Sequence, residues 1–234
     1  MKIFFNGCSM VEKTSTNTWT NICAQTLSMS YENLGTTMAS NDHIVRTTLD
    51  WLCSNTTAIV CIGWTSMDRA ELPMKNGDYI RMTPYGSISV QTGPANDYHK
   101  NYYINHYNEW LHFQKTLRAI YTVNEICNQR NITCLHFNSV YHNHIEDFQS
   151  LKQYSLWSIR QNAPNNPLRL NEYSLTQKLV DYAKSVNWIM PSTCTLVDWC
   201  KDNNLPQDKW GHPIESANDE IANYMSKKIN DFIC

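Results

Sequence analysis

Ser9 lies in the stretch Gly7-Cys8-Ser9-Met10, directly after the short apolar run Ile3-Phe4-Phe5. A serine hydroxyl attacks a carbonyl at neutral pH only when a base takes its proton, and that base needs a partner to orient it. The far end of the chain offers both. Asp208-Lys209-Trp210-Gly211-His212-Pro213 places an acid, a histidine and a proline just before a helical pattern. Pro213 suits the first turn of that helix, which limits where the imidazole sits. Ser9 as nucleophile, His212 as general base and Asp208 as the orienting carboxylate form one testable set, with Asp202 as the fallback acid. Each also has a plainer reading: a turn or cap serine, a helix-start histidine and a solvated loop acid. Only a fold that brings the two ends of the chain together selects the first set.

The elements that must position these residues are legible from apolar periodicity. Residues 2–5 read as a strand, and 18–29 as a helix with Trp19, Ile22, Cys23 and Leu27 on one face. A second strand is expected over 30–34, then a helix over 41–53 bearing Ile44, Val45, Thr48 and Leu52. Ala58-Ile59-Val60-Cys61-Ile62-Gly63 is a continuous buried strand ended by glycine. This β-α-β-α-β order predicts a parallel sheet covered on both faces. Residues 72–98, with Gly77, Pro84, Gly86, Gly93 and Pro94, read as a loop insertion with a β-hairpin around Pro84-Tyr85-Gly86. Beyond it come a helix over 102–129, a strand over 132–137 and a loop at Ala163-Pro164-Asn165-Asn166-Pro167. A helix over 174–186, a weak fifth strand at 188–190 and a last helix over 214–232 complete the chain. The expected fold is one α/β domain over 1–234: a flavodoxin-like three-layer α/β/α sandwich, its sheet mainly parallel with about five strands, and a loop/hairpin insertion after strand 3. In open α/β sheets, sites lie at the carboxyl ends of the strands. Ser9 follows strand 1, residues 33–41 follow strand 2, and 64–69 follow strand 3, so all three converge on one edge.

Composition removes several function classes. The net charge is −2 and no Lys/Arg run exists, so a phosphate-neutralising nucleic-acid surface is not expected. No apolar run approaches the length of a membrane span. The 9 cysteines are odd in number and include no Cys-x-x-Cys. With no signal-peptide core at the start, reduced thiols and a cytoplasmic location are expected. Neither a Gly-x-Gly-x-x-Gly nor a Walker A sequence follows any strand, which argues against nucleotide binding. His142-x-His144 with His136 lacks converging ligands and reads as solvated histidines rather than a metal site. No cofactor and no metal are expected. Cys8 reads as structural, its side chain turned away from that of Ser9. The 8 Trp and 13 Tyr suit core packing first and a sugar surface second.

At four places the chain resembles the SGNH, or GDSL-type, hydrolase family. Gly7-Cys8-Ser9-Met10 stands at its nucleophile block, and Asn33-Leu34-Gly35-Thr36-Thr37-Met38 at its second. Ile62-Gly63-Trp64-Thr65 stands at its third, and Asp208…His212-Pro213 at its last. The blocks occur in the family's order and together cover the chain. The resemblance implies serine-dependent ester hydrolysis through an acyl-enzyme, on a small ester or an acylated carbohydrate. It also implies an oxyanion hole formed by Ser9, Met38 and Thr65. Two of these positions depart from the pattern, because Met38 replaces a glycine and Thr65 an asparagine. The acid-to-histidine interval is one residue longer, and Gly211 is placed to absorb it. Trp64 and Arg69, at the edge of the site, are expected to contact substrate, with Arg69 alternatively braced by Glu71. The run Gly63-Trp64-Thr65-Ser66 with Arg69 and Glu71 also resembles a tailed-phage subgroup. Met38 and Thr65 motivate a second reading: a catalytically weak or inactive binding or virion-associated structural module.

Overall fold

A computed structural model describes residues 1–12, 17–73, 75, 79–83, 86–87, 101–103, 107–140, 145, 167–209 and 211–233. At its centre lie β1 (Lys2–Gly7), β2 (Ser30–Asn33), β3 (Ile59–Trp64) and a later parallel strand, Thr133–Asn138. Between β3 and that strand the chain forms a separate antiparallel sheet of β4 (Ala70–Pro73), β5 (Tyr79–Thr83) and β6 (Gly86–Ser87), so the strand Thr133–Asn138 is β7. The main sheet runs β2-β1-β3-β7, every pair parallel. β3 is buried at all its positions, as a continuous apolar strand between two helical layers must be.

Strand alternation distributes the core between the layers. Phe4 stacks on Trp51 with ring centroids 4.1 Å apart, whereas Phe5 meets Trp19 edge-on at 5.6 Å. Trp19 opens α1 (Trp19–Thr26), and Trp51 lies in α2 (Asn41–Ser54). Successive residues of one strand therefore face opposite layers. α3 (Glu109–Gln129) packs on α2 and on α4 (Pro167–Ser185), while α6 (Asn218–Asn230) packs on α1. The expected three-layer sandwich is the observed fold.

Several local expectations shift. The helix expected from residue 102 begins at Glu109, where the Asn108 side chain accepts the Leu111 N–H at 3.0 Å. The expected fifth strand is reduced to isolated parallel bridges, His136 with Trp188 and Asn138 with Thr195, which leaves four strands in the main sheet among the described residues. The last helix starts at Asn218, preceded by a 3-10 turn at Glu215–Ala217. α5 (Leu196–Asp202), capped by Thr195, was not expected at all; its seven residues are too few to display a helical stripe. The insertion hairpin is present as the β5–β6 pairing Thr83 to Gly86, with Pro84 and Tyr85 outside the described residues. The loop expected at 163–167 lies outside them up to residue 166. None of the helices among the described residues is long and apolar enough to cross a membrane.

The small sheet is tied to α2 through Glu71 of β4. Glu71 accepts from Arg46 Nη2 at 2.7 Å and from His43 Nδ1 at 2.8 Å, and Arg46 lies over the Tyr79 ring of β5 at 4.1 Å. Burial pushes the Glu71 carboxyl up, but its bonds to His43 and Arg46 more than offset this and hold it below the ordinary carboxylate range.

Candidate active site

The nucleophile turn is built from below. Asn6, wholly buried at the end of β1, donates to Ile44 O at 3.1 Å and to Thr48 Oγ1 at 2.8 Å, and accepts the Gly7 N–H at 2.8 Å. A polar group buried so deeply is tolerated only when satisfied, and losing such a set costs roughly 1–3 kcal/mol. Gly7 follows because nothing larger fits. A Cβ there would meet the Gly63 carbonyl oxygen at 2.9 Å and Val11 Cγ2 at 2.5 Å. The chain then reverses, with Val11 N–H donating to Cys8 O at 2.8 Å. Trp19 Nε1 donates to Met10 O at 2.7 Å, and Asn33 Nδ2 to Val11 O at 2.6 Å, fastening the turn to α1 and β2. Cys8 is wholly buried and Ser9 is half-buried, so the turn presents the hydroxyl and hides the thiol.

The base is held by a local loop. Asp208 Oδ1 accepts the His212 N–H at 2.9 Å and Oδ2 lies 3.2 Å from Nδ1. Asp208 N–H donates to His212 O at 2.8 Å, and Gly211 N–H to Asp208 O at 3.0 Å. Gly211 closes this turn at φ 81, in the left-handed region that favours glycine, and so absorbs the extra residue between acid and base. His212 Nε2 then stands 2.9 Å from Ser9 Oγ. With Nδ1–H donating to Asp208, Nε2 carries the lone pair that accepts a proton from the hydroxyl. Asp208 is exposed, so its pull on the imidazole is screened more than that of a buried carboxylate.

The loop after β2 forms the third wall. Thr36 N–H donates to Gly7 O at 3.1 Å, and Thr37 Oγ1 donates to the Glu12 carboxylate. Met38 takes φ 59, the left-handed conformation that explains a glycine at the matching family position. A side chain there costs roughly 1–2 kcal/mol. Among the described residues, the N–H groups of Ser9 and Met38 donate to no backbone carbonyl. Thr65 is placed differently from expectation. Its backbone is clamped by Asn41, which accepts its N–H at 2.9 Å and donates to its carbonyl at 3.1 Å. The Thr65 side chain is wholly buried, and its hydroxyl has no partner and no contact with solvent. That removes the hydroxyl from the surface a substrate would touch.

A cavity of about 430 Å³ opens over Ser9 and His212, lined also by Glu12, Trp19, Thr37 and Asp208. Trp64 is not part of it. The ring is wholly buried, and its Nε1 donates to His136 Nδ1 at 3.0 Å, so the expected substrate contact is a core contact. Arg69 does not line the cavity either, and Glu71 braces Arg46 and His43 rather than Arg69. Asp202 closes α5, and the carboxylate that pairs with His212 is that of Asp208. His136 bonds Trp64 and, through Nε2, Asn124 Oδ1 at 3.2 Å. Complete burial pushes its imidazole down to about 3, so it is neutral at ordinary pH. His142 and His144 lie outside the described residues, among which no three His, Cys, Asp or Glu side chains group as metal ligands. Sequence reasoning missed Glu12 and Thr37. Glu12 stands one turn beyond the nucleophile, a spacing that marks proximity but carries no chemistry of its own.

No protein-family model matches the sequence, and no curated protein matches it. Solved structures match along nearly its full length. The psychrotrophic esterase EstA from Pseudoalteromonas sp. has a TM-score of 0.53 at 9% identity, covering 99% of this chain and 98% of that one. The acetyl xylan esterase AlAXEase has 0.51 at 15%, covering 98% and 100%. A lipolytic protein of the G-D-S-L family from Desulfitobacterium hafniense has 0.50 at 10%, covering 97% and 98%. The chain has the fold of the SGNH, or GDSL-type, hydrolases.

Proposed function

We propose that the protein is a serine esterase acting on small acyl esters, with acetylated carbohydrates as the favoured class. The observation that carries this reading is the 2.9 Å approach of Ser9 Oγ to His212 Nε2 across the whole length of the chain. In the proposed reaction, Ser9 Oγ bonds to the carbonyl carbon as its proton passes to His212 Nε2. The carbonyl oxygen becomes an oxyanion, received by the N–H groups of Ser9 and Met38. The C–O bond to the alcohol then breaks, the alcohol leaves with the proton from His212, and an acyl-serine remains. Water repeats the sequence and releases the acid. A cavity of about 430 Å³ suits a small acyl group, and an acetyl xylan esterase shares the fold.

The buried Thr65 hydroxyl favours a second reading, in which an oxyanion hole short of one donor leaves a slow enzyme or a binding module. One assay separates the two. Acetate release from p-nitrophenyl acetate and from acetylated xylo-oligosaccharides is followed for the wild type, Ser9→Ala and His212→Ala. The esterase reading expects turnover that falls by at least about 10³-fold in either variant. Binding of the acetylated sugar by folded wild type with no acetate released supports the module instead.

A further inference from the structure

Arg81 belongs to β5 of the insertion, yet its side chain leaves the small sheet and reaches the loop after β2. Nη1 donates to Thr36 Oγ1 and to Thr37 O, each at 2.7 Å. Thr37 O is one end of the peptide unit whose other end is the Met38 N–H. In a trans peptide these groups point in opposite directions from one rigid plane, and no cis bond occurs here. Fixing the carbonyl therefore fixes the line along which the N–H points. The residues leading into that plane are held as well, because the Thr36 N–H donates to Gly7 O beside the nucleophile turn and the Thr37 side chain bonds Glu12. A cation on the carbonyl oxygen also draws electron density through the amide, which makes the N–H a better donor.

We propose that Arg81 is a positioning residue for the oxyanion hole: it holds and polarises the Thr37–Met38 peptide so that the Met38 N–H meets the developing oxyanion. This rests on the esterase reading above. Two departures at the site give the cation its task. Met38 occupies a backbone region that glycine enters freely and methionine does not, so the loop needs an external hold. The Thr65 hydroxyl is shut away from the cavity, so fewer donors remain and each carries more of the charge. The strand pair that carries Arg81 is itself anchored, since Glu71, opposite Arg81 on β4, is bonded to His43 and Arg46 of α2.

The test compares steady-state hydrolysis of p-nitrophenyl acetate by the wild type, Arg81→Ala, Arg81→Lys and Ser9→Ala, with melting temperatures recorded for each. The expected result for Arg81→Ala is a kcat lower by about 10-fold, a fraction of the loss for a missing donor. KM stays within about twofold, since the contact matters only once the oxyanion forms. Millimolar guanidinium chloride restores kcat in Arg81→Ala and leaves the wild type unchanged. Arg81→Lys, which keeps the charge but not the fork, is expected between the two. Should Arg81→Ala melt below the assay temperature, Arg81→Gln takes its place with the same kcat and KM expectation. A kcat within twofold of wild type, a loss confined to KM, or no recovery with guanidinium overturns the role of Arg81 alone. Wild-type hydrolysis that persists in Ser9→Ala overturns the esterase reading, and the Arg81 role with it.

Discussion

The two halves of the candidate site are built in different ways. The nucleophile half grows from the core: Asn6, Gly7, Cys8 and Val11 are buried, and α1, α2, β2 and β3 each contact the turn. The base half is a surface loop, with Asp208 exposed, and four hydrogen bonds between Asp208 and residues 211 and 212 shape it. One half inherits its geometry from the fold. The other makes its own geometry with a turn of five residues and one glycine. Perturbations of the first half are therefore expected in stability, and those of the second in rate.

Acid gives the largest expected break. His136, wholly buried on β7, is neutral when folded and is pushed down to about 3, whereas an unfolded imidazole titrates near 6.5. Between those values the unfolded chain binds a proton that the folded chain refuses. Stability is thus present above about pH 6.5 and is lost as pH falls, by about 1.4 kcal/mol per unit once the slope is developed. Glu71, held below the carboxylate range, adds to this loss at lower pH. Urea midpoints measured from pH 7 to pH 4 check the slope, and a flat profile between 6 and 5 contradicts it.

Asn6→Ala sharpens the contrast on the buried side. It orphans the Gly7 N–H and removes the donor shared by Ile44 O, Thr47 Oγ1 and Thr48 Oγ1 on α2, at a cost of roughly 1–3 kcal/mol. A fall of several degrees in melting temperature is expected by calorimetry. On the exposed side, Asp208→Asn is expected to lower kcat by about 10–100-fold with the melting temperature unchanged, less than a buried carboxylate gives because water already screens it. A loss of stability as large as that of Asn6→Ala erases the distinction. Gly211→Ala is the mildest. The added methyl meets only Val197 Cγ1 at 3.4 Å, so the penalty is the left-handed backbone itself, about 1 kcal/mol. A few-fold drop in kcat is expected, with a melting temperature within a few degrees of wild type.

The same contrast explains what was legible in the sequence. Strand endings and turn residues are local signals, so Ser9 after β1 and His212 before the last helix could be named from spacing, and Gly211 could be given its task in the turn. Contacts made by tertiary packing left no such mark. Trp64 ends an apolar strand, and nothing in the run Ile62-Gly63-Trp64-Thr65 tells whether the ring faces substrate or, as it does, His136. Arg81 lies in an insertion whose hairpin was expected but whose third strand and docking on α2 were not, so its reach to Thr37 could not be read. α5 is too short for its periodicity to rise above chance.

Ester hydrolysis at this site depends on one reactive hydroxyl. Folded wild type incubated with a fluorophosphonate and examined by intact mass should carry a single adduct, mapped by peptide digestion to Ser9 and missing from Ser9→Ala. An unmodified mass for the folded protein, or an adduct on another residue, contradicts it.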